Sequence, residues 1–146
     1  MRLLLALASP SLIGAVAVLL VAGCDGSGPD PVSLLVVSLG ERSGAAVVQV
    51  ETEDAVPCPD PRLLAEISET PTRLTVNVAG VGQEGACNTE EGRPASLAVP
   101  LAAVDLEGFE VLVSFAGETD EYVIEVAGGT PVLRAIQTTI SRLGPR

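Results

Sequence analysis

Histidine, lysine and tryptophan are missing from this 146-residue chain, and its aromatic side chains amount to one Tyr and two Phe. Without His there is no Ser-His-Asp or Cys-His nucleophile pair and no imidazole to hold a metal. Without Lys there is no phosphate-loop lysine and no Schiff base. The shortage of aromatics argues against a stacked sugar cleft, so carboxylates acting together on a glycoside are not expected. Positive charge is scarce as well: the 8 basic residues are all Arg, against 19 acidic ones, for a net charge of −11. Such a chain repels nucleic-acid phosphates and anionic lipid head groups, so neither is expected as a charge-driven partner. Gly80-Val81-Gly82 and Gly128-Gly129 lie outside any strand–turn–helix unit of phosphate-binding spacing and read as turn glycines. No cofactor is expected.

What is present starts with Met1-Arg2, an apolar run over residues 3–22, and the tetrad Val21-Ala22-Gly23-Cys24. A charged start, an apolar middle and small residues at the end describe a secretory signal peptide. An uncleaved membrane helix is the alternative, since about 20 apolar residues can span a bilayer. Pro10 between Ser9 and Ser11 would kink that helix, and no basic cluster follows it as a stop signal. The tetrad resembles the lipobox of bacterial lipoproteins. The resemblance implies cleavage after Gly23, diacylglycerol on the Cys24 thiol, and residence in the bacterial cell envelope, lipid-anchored to a membrane on its extracytoplasmic side. Residues 1–23 are then a signal peptide and residues 24–31, rich in Gly, Pro and Asp, a flexible tether. Residues 32–146 suffice for one folded domain. With Cys24 assigned to lipid, Cys58 and Cys87 remain as a pair, and an oxidising envelope favours a disulfide between them. The chain-entropy account gives such a link roughly 3–4 kcal/mol.

Downstream, short apolar segments alternate with turn residues, which predicts a mainly β fold: an antiparallel β-sandwich of about seven short strands. Residues 32–39 and 45–51 predict a hairpin with a five-residue loop. Residues 63–68 are a weaker strand, and residues 73–79 alternate most cleanly, with Leu74, Val76 and Val78 on one face. Residues 95–101 read as a strand in which Pro100 marks a sheet edge or strand end. Residues 109–115 and 121–126 predict a second hairpin around Gly117-Glu118-Thr119-Asp120. Over residues 131–143, Val132, Leu133, Ile136, Ile140 and Leu143 share one helical face. A short amphipathic helix covering residues 32–39 is the favoured expectation there. β-Branched Thr138, Thr139 and Ile140 keep a final strand open. The strand into Cys58, the strand at 73–79 and the segment Tyr122-Val123-Ile124-Glu125-Val126 resemble an immunoglobulin-like domain of the kind found in bacterial lipoproteins. That resemblance carries no catalytic residues.

Two acidic clusters are the remaining site-like features: Glu51, Glu53 and Asp54 at a strand end, and Glu118, Asp120 and Glu121 around the second predicted turn. Converging at one pole, their carboxylates would suit Ca²⁺, which takes oxygen ligands, although the spacing is not that of an EF-hand. Solvated acidic loops are the simpler expectation. The sequence therefore predicts a lipid-anchored envelope protein with a non-enzymatic binding or structural role and an envelope protein as partner. The alternative is a small-ligand or calcium-binding accessory subunit of an envelope enzyme or transporter.

Overall fold

A computed structural model describes residues 34–82, 92–103 and 105–145. The fold is mainly β. Its strands are β1 (Leu35–Arg42), β2 (Ala45–Thr52), β3 (Arg62–Thr70), β4 (Arg73–Gly82), β5 (Ser96–Pro100), β6 (Phe109–Phe115), β7 (Glu118–Ala127), β8 (Thr130–Gln137) and β9 (Ser141–Leu143). They form one sheet in the order β8-β7-β6-β4-β3-β5-β2-β1-β9. Between β3 and β5 the only paired residues are Arg62 and Ser96, so the sheet divides there into two layers folded over a shared core. At the other end β8 comes alongside β1 and β9 without joining their ladder. The result is a nearly closed, barrel-like sandwich.

The core follows from period-two alternation of branched aliphatics, which places every second side chain on one face. Leu35 and Val37, Val48 and Val50, Leu74 and Val76, and Val111 and Val113 are all fully buried. Phe109 and Tyr122 are the largest buried side chains. Two of the chain's three aromatic residues are therefore core filler, and the third, Phe115, packs against the same cluster.

Turn chemistry sharpens three of the expected connections. The first hairpin closes through Ser43-Gly44 alone, with φ of 54° and 80°, so β1 runs on through Gly40, Glu41 and Arg42. The β6–β7 hairpin closes through Ala116-Gly117, with φ of 52° and 88°. Gly128-Gly129, at 62° and 83°, joins β7 to β8. Positive φ at both central residues gives a two-residue turn whose twist matches that of the flanking strands. The first two turns are tighter than the sequence predicts and return turn residues to the strands, whereas Gly128-Gly129 is the turn its glycines predict.

Residues 131–143 correct the expected helix: the segment forms β8 and β9. Gly128-Gly129 folds Thr130 back opposite Ala127, and the ladder continues with Leu133 opposite Ile124. Strand pairing buries Leu133 but leaves Ile136 exposed, so the shared helical face is not used. The outer flank of β1 is met by β9, which pairs with it in parallel from Leu35 opposite Ser141 to Val37 opposite Leu143. β4 with β6, and β3 with β5 at a single residue pair, are parallel too, among ladders that are otherwise antiparallel.

Pro100 lies at a sheet edge, as its chemistry requires. The amide of Leu101 donates to the Ala46 carbonyl, while Pro100 stands opposite Val47. Antiparallel bonding alternates along a strand, so the Pro100 nitrogen points away from β2, toward β3. A donor is missing where β3 and β5 part.

Candidate functional site

The densest polar arrangement lies at the seam where β8 approaches β1 and β9. Asp120 on β7 is fully buried, and its cross-strand neighbour is Val113. Its Oδ1 accepts the Thr139 amide at 2.6 Å, and its Oδ2 accepts the Ile140 amide at 3.1 Å. Oδ2 also accepts the Ser141 hydroxyl. Because the Ser141 proton is committed to the carboxylate, the Tyr122 hydroxyl must be the donor in its 2.6 Å bond to Ser141 Oγ. Asp120, Ser141 and Tyr122 thus form one directed chain, and among the described residues no buried side-chain polar atom lacks a partner. Burial pushes the Tyr122 phenol above its ordinary pKa of 10.0; the Ser141 hydrogen bond opposes that rise and the Asp120 charge adds to it. Chemically the chain holds a backbone segment in place. It offers no nucleophile to solvent, because Ser141, Tyr122 and Asp120 are all buried.

Beside this network lies an apolar cleft of about 220 Å³, lined by Val37, Leu39, Pro131, Leu133, Leu143 and Pro145 among others. Two further hollows lie elsewhere on the surface. One lies between Glu69 and the segment at Ala102, Ala103 and Asp105. The other lies on the outer face of β6–β8 over Leu112, Val123 and Ile136.

The acidic clusters do not assemble into a cation site. The tight Ala116-Gly117 turn draws Asp120 into β7, where the core covers it and backbone amides occupy both of its oxygens. Glu118 and Glu121 remain exposed. In the other cluster, Glu51 Oε1 accepts from Gln49 at 2.6 Å and Glu53 pairs with Arg142 at 2.8 Å. Among the described residues, no three acidic or thiol groups come together in a way that could hold a metal ion. Sequence reasoning placed Asp120 in a turn and missed Ser141 and Tyr122 as its partners. Alternation of Asp120, Tyr122 and Ile124 on one strand face was the available signal.

Of the cysteines, Cys58 is fully buried and disulfide-bonded. It sits among Pro57, Pro59 and Pro61, next to the Val56–Arg93 bridge. Cys87, its expected partner, and Cys24, the expected lipid carrier, lie outside the described residues. No family model matches this chain, and no curated protein or solved structure is significantly similar to it.

Proposed function

We propose that the chain is a lipid-anchored protein of the bacterial cell envelope, carrying a disulfide-stapled, immunoglobulin-like β-sandwich with a binding or structural role and no catalysis. The observation that carries this reading is Val21-Ala22-Gly23-Cys24 at the end of an apolar run. Asp25 to Pro31, rich in Gly, Pro and Asp, is the proposed tether between lipid and domain. Anchoring comes from acyl chains, because a net charge of −11 gives no attraction to anionic lipid. The non-catalytic role is supported by the chemistry of the side chains: His and Lys are missing, the large aromatics fill the core, and Asp120 and Ser141 are committed to holding backbone. Cys87 is the proposed partner of Cys58, and an envelope protein the proposed ligand of the exposed surface.

The test is Cys24→Ala in a bacterial host fed labelled palmitate. The wild-type chain should take up label and fractionate with membranes, whereas the variant should accumulate as an unlabelled precursor. Equal labelling of the two would refute the anchor.

A further inference from the structure

The C-terminal segment after β8 is attached unlike any other strand. β9 is three residues long, and of its side chains only Ser141 is buried; Arg142 and Leu143 are exposed. It therefore contributes almost nothing to the apolar core. Its hold is polar and comes at both ends. At one end, Asp120 accepts from Thr139, Ile140 and Ser141, and the Leu35 amide donates to the Ile140 carbonyl at 2.9 Å. At the other end, the Gly144 amide donates to the Val37 carbonyl at 2.8 Å. Arg142 adds an exposed ion pair with Glu53.

We propose that residues 138–145 are a releasable strap over the seam of the sandwich, opening as a unit while both layers stay folded. Polar contacts made to water cost little to exchange, because a freed carboxylate and freed amides are hydrated at once. Apolar burial of the kind that holds β4 and β6 has no such substitute. Lifting the strap frees the edge of β1 from Leu35 to Val37 and widens the apolar cleft behind it, whose wall includes Leu143 and Pro145. The strap also lies flush on β1: a Cβ on Gly144 would come within 2.9 Å of Val36 Cγ1 and 3.2 Å of Ser38 Cβ. A larger residue there would crowd Val36 and Ser38 and strain the fit of the strap on β1. This inference is independent of lipid anchoring.

Native-state hydrogen exchange on the full chain in detergent tests it. The amides of Leu35, Ile140 and Gly144 should be protected at least about 100-fold less than those in the middle of β4 and β6, and should exchange without a denaturant-dependent step. Gly144→Val, which leaves the Asp120 network untouched, should lower strap protection a further tenfold or so and leave β4 and β6 unchanged. Ser141→Ala should act in the same direction from the other end. Strap amides that exchange together with β4 and β6 in the wild-type chain would overturn the proposal. So would variants that lower protection equally everywhere.

Discussion

The middle of the sandwich and its seam are built from the same chain by opposite means. In β4 and β6, Leu74, Val76, Val111 and Val113 are held by the exclusion of water, and their ladder is parallel, central and covered. At the seam, β7 faces the C-terminal segment with Asp120 and Tyr122, and the contacts are directed hydrogen bonds. Apolar packing tolerates small shifts of partner but not the loss of volume. A directed polar chain tolerates loss of volume but not the loss of one member, since the rest is then buried unsatisfied. The two regions should therefore respond differently to the same size of change.

Phe109→Ala should have the largest effect. Truncating a fully buried aromatic costs about 3–5 kcal/mol, and a denaturant midpoint shift read by circular dichroism measures it. A loss below about 1 kcal/mol would mean that the core can collapse around the vacancy, which would blur the contrast with the seam.

Tyr122→Phe keeps nearly all the volume and removes the donor to Ser141, so it should cost about 1 kcal/mol. It should also change the alkaline limb of stability. The folded phenol has a pKa raised above 10.0, so the unfolded chain loses its proton first. The contribution of Tyr122 is thus complete below pH 10 and is lost as pH rises through the folded value. Urea midpoints between pH 8 and 11 should fall less steeply in the variant. An identical alkaline slope would assign that limb to other groups.

Ala116→Gly should show the smallest effect, in the stabilising direction. Ala116 sits at φ 52° in a two-residue turn, where a Cβ is strained. Removing it should raise stability by about 0.5–1 kcal/mol, less the entropy gained by the unfolded chain. The change lies outside both regions and should leave exchange at the seam unaltered.

Much of this fold was legible because the core strands alternate so cleanly. The face of β4 formed by Leu74, Val76 and Val78 follows directly from its spacing, as do the existence of β1, β2, β6 and β7 and the edge position of Pro100. Strand ends were less legible. Ser43 and Ala116 do not advertise a left-handed conformation, so the sequence predicts two loops longer than those found. That shift of a few residues hid the seam, because it left Asp120 in a turn rather than on the buried face of β7. The C-terminal strands were obscured for a different reason. A short edge segment with one buried side chain leaves no period to read, and accidental helical spacing of Val132, Leu133 and Ile136 fills the silence. Partners across the seam, such as Ser141 for Tyr122, depend on closure of the whole sandwich and have no local signal.

The parting of β3 from β5 has a consequence for life among many copies. Unpaired strand margins are templates on which neighbouring molecules add. Here one margin presents a proline nitrogen, and the other carries the exposed carboxylates of Glu66 and Glu69, the latter accepting from the Ala102 amide at 2.8 Å. Neither margin can zip readily with its own kind: one lacks a hydrogen to offer, and the other meets like charge with like. The parting inside the sheet is thereby defended against growing into a fibre.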